Sequence, residues 1–270
     1  MIVIKTPYLI KYPWLAAGRR LWFSACAALF LIVLCSQAIR AENTLSINMG
    51  FGPNSVQGQF QMKAVGHALT YARINHKFIQ RPAERALQNV ENGIDDGNVL
   101  RIAGLEQLYK NLVMIPTPVL DYEFIAFTRE GLNKQITSWH DLTDLNVGIV
   151  LGWKIVEENT HHLPRVTKVQ DGAKLFQLLG KKRFDVVVYE YWQGLETMRA
   201  LQIENVRVAH MPLAVKPMHI YVHKHHKHLV PTIDVALQQL LTSEHYATLL
   251  RTSFSSLTQW AQKTGIDPAP

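Results

Sequence analysis

Short strands alternate with helices through most of this chain. The segment TLSINMGF alternates apolar and polar side chains over residues 44–51, and apolar residues then recur at helical spacing over residues 58–75. A strand over residues 76–81 and a helix over residues 82–93 follow, and the same order returns across residues 146–201. Parallel strands need crossover connections, which are usually helices. The alternation therefore predicts an α/β fold in which helices pack on a largely parallel sheet.

The first 41 residues have a different composition. They carry five basic residues and no acidic residue, and an apolar run of fifteen residues, Leu21 to Cys35, follows a pair of arginines. A basic start, a short apolar run and small residues at Ser36 and Ala38 are typical of a secretory signal peptide. The run is shorter than the roughly 20 residues of a membrane-spanning helix. We therefore predict that residues 1–41 are an export signal that is cleaved.

Removing that segment changes what the charge of the chain implies. The rest of the chain has 23 basic and 21 acidic residues, a formal balance of +2, whereas the whole chain carries +7. The basic excess belongs mostly to the export signal, so the mature chain offers no electrostatic case for binding nucleic acid. Both cysteines, Cys26 and Cys35, also leave with the signal. We expect no disulfide, no thiolate nucleophile and no thiolate zinc ligand in the mature protein.

The chain contains five characteristic phrases in a fixed order, namely LSINMGFGP, RPAERALQNVENGIDDG, NLVMIPTPVLDYEFIAF, SWHDLTDLNVGIVLGW and GKKRFDVVVYE. Together they resemble the extracellular solute-binding proteins of family 3, which have the class II periplasmic binding-protein fold. The resemblance covers Thr44 to Phe254. It implies two α/β lobes joined by two hinge strands, with lobe 1 over residues 44–125 plus 217–262 and lobe 2 over residues 129–215.

The resemblance also implies a function. Proteins of this family are exported to the periplasm, close two lobes over a small solute and usually pass it to a membrane transporter. For this chain we expect a monomer that binds an amino acid or another small anion or zwitterion and delivers it to an inner-membrane permease of the ABC type. The resemblance implies no cofactor. A sensor that presents its ligand-bound form to a membrane receptor needs the same closure, and this alternative stays open.

The sequence departs from the family at a position that bears on the ligand. Amino-acid binders of the family typically carry an arginine after a stretch rich in small residues and threonine, whereas this chain reads DDGNVLRIAGLEQLYKN there. Arg101 stands earlier in the chain than the family arginine. The resemblance therefore does not identify the ligand.

Ligands of open α/β sheets bind beyond the carboxyl ends of the strands. That rule and the chemistry of the side chains select six candidate ligand-binding residues: Glu84, Arg85, Arg101, Tyr122, Trp153 and Glu190. An arginine can hold a carboxylate with two parallel hydrogen bonds, a glutamate can pair with an ammonium group, and aromatic rings can cover an apolar body or a cation. Glu190 ends the strand FDVVVYE, where the family has its amine-binding acid, and Trp153 lies in a loop rather than in a core stripe.

Some of these residues also have a purely structural interpretation. Arg85 lies on a predicted helix and fits a solvent-exposed position equally well. Arg101 can instead brace the preceding turn by pairing with Asp95 or Asp96, and Tyr122 can simply pack at the hinge between the lobes. The sequence leaves these alternatives open.

The segment MHIYVHKHHKHLVP holds five histidines within ten residues, which raises the question of a metal site. A zinc site needs about four ligands that converge on one point. Alternation places His219 and His223 on a strand, and His225, His226 and His228 fall in the turn that follows, so the rings are scattered. We predict a solvated turn and no metal site.

The mature chain lacks the common catalytic signatures. It has no G-x-S-x-G elbow, no P-loop, no G-x-G-x-x-G and no cysteine. Glu84, Asp121 and Glu190 are carboxylates that can serve as acid and base, and the two-lobe fold hosts a few small-molecule lyases. We expect a binding protein rather than an enzyme, with a lyase as the alternative.

Overall fold

The computed structural model describes residues 44–266, and the predicted signal peptide over residues 1–41 lies outside the described residues. The described strands are β1 (Leu45–Met49), β2 (His76–Gln80), β3 (Gly97–Arg101), β4 (Leu112–Met114), β5 (Leu120–Arg129), β6 (Val147–Val150), β7 (Val166–Val169), β8 (Val186–Glu190), β9 (Val206–Val208) and β10 (Ala214–His223). The described α-helices are α1 (Val56–Tyr71), α2 (Ala83–Glu91), α3 (Lys154–Thr160), α4 (Gly172–Gly180), α5 (Tyr191–Ala200), α6 (Val230–Leu241) and α7 (Glu244–Lys263).

The strands form one mixed sheet in the order β2-β1-β3-β10-β5-β8-β6-β7, with β4 beside β10 and β9 beside β5. β1 pairs in parallel with β2 and β3, and β6 pairs in parallel with β7 and β8. β10 and β5 run antiparallel to their neighbours. The sheet therefore has a first half around β1 and a second half around β6, and the parallel α/β layering predicted from the sequence is confirmed.

Two long strands connect the halves. β5 pairs with β10 from Leu120 to Phe124 and with β8 from Phe124 to Thr128. β10 pairs with β5 as far as Met218 and with β3 from His219 onward. Each of these strands thus belongs to both halves, so bending them changes the gap between the halves. The residue limits of the two lobes stay a prediction.

The apolar pattern of the strands explains how the helices are placed. Every residue of β1 and of β8 is buried, because helices cover both faces of a parallel sheet. Ser55, Asp171 and Ser243 each accept a backbone hydrogen bond at the start of α1, α4 and α7, which defines where those helices begin. Within residues 44–266, no helix is long and apolar enough to cross a membrane.

Candidate ligand-binding site

A cavity of about 50 Å³ lies between the two halves of the sheet. Phe51 follows β1, Arg101 ends β3 and Trp153 follows β6, so both halves supply its walls. Tyr122 and Phe124 of the connecting strand β5 also line it. This position, at the carboxyl ends of the parallel strands, is where ligands of open α/β sheets bind.

Arg101 is a buried cation in this cavity, with 9% of its surface exposed. Its Nε donates to Asn98 Oδ1 at 3.1 Å, and its Nη2 donates to the carbonyl of Ala83 at 3.1 Å. Burial lowers the pKa of Arg101 to about 10, although two nearby tyrosines and Glu84 act in the opposite direction. The guanidinium therefore stays charged at neutral pH, and its remaining N–H groups are available to a ligand.

The aspartates of the preceding turn do not pair with Arg101. Asp95 accepts a hydrogen bond from Nε of Arg81 at 2.8 Å, and Asp96 pairs with Nε2 of His226 at 2.7 Å. None of the ion pairs formed by the described residues includes Arg101. The interpretation of Arg101 as a brace through Asp95 or Asp96 is therefore wrong, whereas its role as a ligand contact stays a prediction.

Aromatic rings form the apolar walls of the cavity. Phe51 and Phe124 meet Trp153 edge-on, with ring centroids 6.3 and 5.9 Å away. Tyr122 lies 6.4 Å from Phe51. Trp153 also stacks on Tyr189 at 4.5 Å with the two planes 6° apart, which holds the indole in place. Such walls suit the apolar body of a small ligand, and the sequence analysis did not select the two phenylalanines among them.

The hydroxyl of Tyr122 joins two glutamines of α1. It donates to Gln57 Oε1 at 2.9 Å and accepts from Gln61 Nε2 at 3.2 Å. Gln61 lines the cavity, and its Oε1 is buried without a partner among the described residues. A buried polar atom of this kind normally bonds to something, here a ligand or a water. Sequence analysis missed both glutamines, although two amides four residues apart on the buried face of a helix are a readable signal.

Lys154 lines the cavity and links the two halves of the protein, a role the sequence analysis also missed. Its Nζ donates to Glu84 Oε2 at 2.7 Å and to Glu157 Oε2 at 3.1 Å. Glu84 Oε1 also accepts from the hydroxyl of Tyr109 at 3.2 Å. Burial alone raises the pKa of Glu84, but hydrogen bonds from Lys154 and Gln88 outweigh it and hold that pKa below its ordinary value. Glu84 is therefore a charged partner of Lys154 and does not itself line the cavity.

A second polar contact joins the halves at the start of α1. Both carboxylate oxygens of Glu196 on α5 accept the backbone N–H of Val56, at 2.9 and 3.1 Å. Val56 is the first residue of α1, so the carboxylate also faces the positive end of that helix. The two halves thus touch through two separate polar contacts between protein atoms.

Arg85 and Glu190 lie outside the lining of the cavity. Arg85 is exposed on α2. Glu190 is 1% exposed, ends β8 and caps α5, where its carboxyl group accepts the N–H of Gln193 at 2.8 Å. Burial raises the pKa of Glu190 to about 8, against backbone hydrogen bonds from Gln193 and Trp192 that lower it. At neutral pH this carboxyl is therefore mostly protonated.

The structure thus separates the six predicted residues into two groups. Arg101, Tyr122 and Trp153 meet at the cavity, and Glu84 is one contact away, through Lys154. Arg85 is exposed, Glu190 is buried as a helix cap, and neither lines the cavity. Ligand contact by any of the six stays a prediction.

A second cavity of about 200 Å³ adjoins the first. Phe51 and Trp153 line both cavities and so stand between them. The second cavity has a more polar lining, which includes Arg81 and Asp171.

The histidine-rich segment forms the end of β10 and a 3₁₀-helix over Lys224–Leu229. His219 contacts the carbonyl of Ile115 at 3.1 Å, and His226 contacts Asp96 at 2.7 Å. Across residues 44–266, no three side chains of histidine, cysteine, aspartate or glutamate are grouped so that they could hold a metal ion. The region that we predicted as a turn is thus a short helix.

The chain is similar to several solved structures of low sequence identity. An ancestral arginine-binding protein bound to arginine matches with a TM-score of 0.67 and 19% identity, over 78% of this chain and 98% of that chain. The substrate-binding protein of an amino acid ABC transporter matches with a TM-score of 0.65 and 15% identity, over 79% of this chain and all of that chain. A histidine kinase sensor domain with similarity to periplasmic binding proteins matches with a TM-score of 0.67 and 13% identity, over 79% and 96%.

No protein-family model matches the chain, and no curated protein sequence matches it. At these identities the structural likeness shows the fold. The chain has the two-lobe α/β fold of class II periplasmic binding proteins, with β5 and β10 as its two hinge strands. The predicted fold class is confirmed. We call the two halves of the sheet, with the helices that pack on them, the first and second lobes.

Proposed function

We propose that this protein binds a small anionic or zwitterionic molecule, such as an amino acid or another small carboxylate, between its two lobes. The observation that carries the proposal is the guanidinium of Arg101, which is buried in the interlobe cavity and has no acidic partner among the described residues. A charge buried without a counter-ion is costly, and an anionic ligand removes that cost. The planar guanidinium matches a carboxylate in geometry as well as in charge.

Binding is coupled to closure because the walls come from both lobes. Phe51 and Arg101 belong to the first lobe, whereas Trp153 and Lys154 belong to the second. A ligand that touches both sets stabilises the closed form relative to the open form by its contacts with the far lobe. The two hinge strands bend when the protein changes between the open and closed forms. The protein needs no cofactor for this, and it releases the ligand unchanged.

We further infer that the chain is a divergent solute-binding protein of family 3, exported to the periplasm as a monomer, and that it delivers its ligand to an ABC-type permease of the inner membrane. The likeness to an arginine-binding protein and to the substrate-binding protein of an amino acid ABC transporter supports this. A sensor that presents its bound form to a membrane receptor is the second candidate, favoured by the likeness to a histidine kinase sensor domain.

Thermal unfolding of the purified protein with a panel of amino acids and small organic acids tests the proposal. A ligand at a hundredfold excess over its Kd stabilises the folded state by ~2.7 kcal/mol. We expect stabilisation by at least one carboxylate, its loss in Arg101→Met, and its retention in Arg183→Met, which changes an exposed arginine. If no charged solute stabilises the protein, the proposal is wrong. Uptake of the identified ligand by cells with and without the protein then separates a transport role from a sensor role.

A further inference from the structure

We propose that the cavity selects small monocarboxylates whose remaining body is uncharged, including 2-hydroxy acids, and discriminates against α-amino acids. This inference rests on the proposed function, because it specifies the ligand of the same cavity. The charges of the lining residues and one buried acceptor without a partner among the described residues favour this selectivity.

The cavity has room for one negative charge. Its only charged lining residues are Arg101 and Lys154, both cations, and no aspartate or glutamate is among the lining residues. Lys154 is already neutralised by Glu84 at 2.7 Å and Glu157 at 3.1 Å. Glu157 also pairs with Lys168 at 3.0 Å, so the two carboxylates balance two lysines. The positive charge of Arg101 is in excess, although Glu84 lies near enough to raise the pKa of Arg101. A carboxylate cancels this charge, whereas the ammonium of an α-amino acid brings a second positive charge into the same space without a partner.

The acid that the sequence suggests for an ammonium group is occupied elsewhere. Glu190 is 1% exposed, caps α5 through the N–H of Gln193 and does not line the cavity. Burial raises its pKa to about 8, and the carboxylates of Glu123 and Glu196 act in the same direction. Because Glu190 lies outside the lining, its carboxyl group supplies no anion to the cavity. The family resemblance predicts an acid that binds the ammonium group of an amino acid at Glu190. In the structure, this residue does not provide that anion to the cavity.

The acid of the second cavity does not replace it. Asp171 lines that cavity, beyond Phe51 and Trp153, and accepts the N–H of Lys174 at the start of α4. In an α-amino acid the ammonium is attached to the carbon beside the carboxylate. With the carboxylate on Arg101, the ammonium has to stay in the first cavity.

Gln61 is a neutral polar residue of the lining. Gln61 is 1% exposed and lines the cavity, and its Oε1 is buried without a partner among the described residues. An amide oxygen accepts a hydrogen bond from a hydroxyl without changing the net charge of the site. A ligand hydroxyl that reaches Oε1 would satisfy it, so 2-hydroxy acids are compatible with the lining along with unsubstituted acids. Phe51, Tyr122 and Trp153 cover the apolar remainder.

Matched sets of ligands test the inference by isothermal titration calorimetry at pH 7. Each set keeps one carbon skeleton and carries hydrogen, hydroxyl or ammonium beside the carboxylate. The sets are propanoate, lactate and alanine; isocaproate, α-hydroxyisocaproate and leucine; and hydrocinnamate, phenyllactate and phenylalanine. In the set that fits best, we expect the acid and the hydroxy acid to bind at least about tenfold more tightly than the amino acid, which corresponds to ~1.4 kcal/mol.

A variant of Gln61 supplies the missing anion. Gln61→Glu preserves the size of the side chain and adds a carboxylate to the lining of the cavity. We therefore expect the variant to bind the acids more weakly and the amino acid of the same set more tightly than the wild type does. Thermal unfolding shows whether the variant is folded. If it is not folded, the relative affinities of the wild-type protein for the members of each set test the inference.

The outcomes distinguish this inference from the proposed function. If an amino acid binds the wild-type protein as tightly as its acid counterpart, or more tightly, the selectivity is overturned and the binding function stands. If no member of any set binds, and no other charged solute stabilises the protein, both are overturned. Tight binding of the acids with a reversed preference in Gln61→Glu supports the inference.

Discussion

Lys154 of the second lobe donates a hydrogen bond to Glu84 of the first lobe, with Nζ 2.7 Å from Oε2. Burial lowers the pKa of Lys154, but the hydrogen bonds to Glu84 and Glu157 outweigh it and raise that pKa above its ordinary value. The pair is therefore ionised at neutral pH. Because protein atoms alone make this contact across the cleft, it favours the closed form with or without a ligand.

We expect Lys154→Met to shift the protein toward the open form and to weaken ligand binding about two- to fivefold. A partly exposed ion pair contributes about 0.5–1 kcal/mol, and added salt should reduce the difference. Small-angle X-ray scattering should show a larger radius of gyration for the variant than for the wild type. Lys168→Met is the control, because Lys168 bonds to Glu157 at 3.0 Å within the second lobe. Identical scattering from all three proteins would contradict the role of the pair.

Gly152→Ala should impair closure more strongly. Gly152 has a φ of +86°, and a Cβ there would lie within 2.8 Å of the Cα of Glu84 in the other lobe. We expect at least about a tenfold loss of ligand affinity by calorimetry, because the closed form cannot accept the added atom. Gly131→Ala is a matched control, since Gly131 has a φ of +81° and nothing within 4 Å of a Cβ. Comparable loss in both variants would assign the effect to backbone strain.

The contribution of Glu190 to the stability of the protein should fall as the pH rises from about 4.5 to about 8. The pKa of Glu190 is about 8 in the folded protein, against an ordinary value of 4.5, and burial is the main cause. Over this interval the folded state keeps a proton that the unfolded state has released, so the free energy of unfolding decreases with pH. The penalty is absent below pH 4.5, complete above pH 8, and on the order of several kcal/mol.

The variant Glu190→Gln isolates that contribution. A glutamine oxygen can still accept the N–H of Gln193, but the side chain does not titrate. Urea unfolding at several pH values should give a flatter profile for the variant than for the wild type, with the largest gain in stability near pH 8. Parallel profiles would show that Glu190 does not hold its proton in the folded state.

Tyr122→Phe should destabilise the protein by about 1–3 kcal/mol, because it leaves buried amide groups of Gln57 and Gln61 without their shared partner. Chemical denaturation measures this directly. Tyr189→Phe is the control, since Tyr189 is also buried but none of the hydrogen bonds between described residues involves its hydroxyl. If both variants lose the same stability, the glutamine link contributes little.

The fold could be predicted because its signals are local. Apolar side chains alternate with polar ones in strands and recur at helical spacing in helices, and capping residues such as Asp171 mark where helices begin. Each of these signals acts within a few positions of the chain. The rule about carboxyl ends selected Trp153, which lines the cavity together with Arg101 and Tyr122, but it also selected Arg85 and Glu190, which do not line it. These conclusions needed no knowledge of how distant segments meet.

The partners of the charged side chains could not be predicted in the same way. Lys154 and Glu84 are 70 residues apart in the chain, and His226 is 130 residues from its partner Asp96. From the sequence, Asp95 and Asp96 were the nearest candidate partners of Arg101, but in the folded chain Asp95 pairs with Arg81. Ion pairs form between whichever charges packing brings within a few ångströms, and packing is a property of the whole chain.

The sequence by itself therefore determined the α/β layering, because periodicity and capping are encoded locally, whereas the two-lobe arrangement was implied by the family resemblance. Only the tertiary structure decided the chemistry of the interlobe cavity. It buried Arg101 outside any ion pair of the described residues, placed Arg101 and Gln61 in the lining of one cavity, and made Glu190 a helix cap outside that lining. Burial and the neighbouring charges decide whether each side chain is ionised, paired or open to a ligand, and both arise only when distant segments pack together.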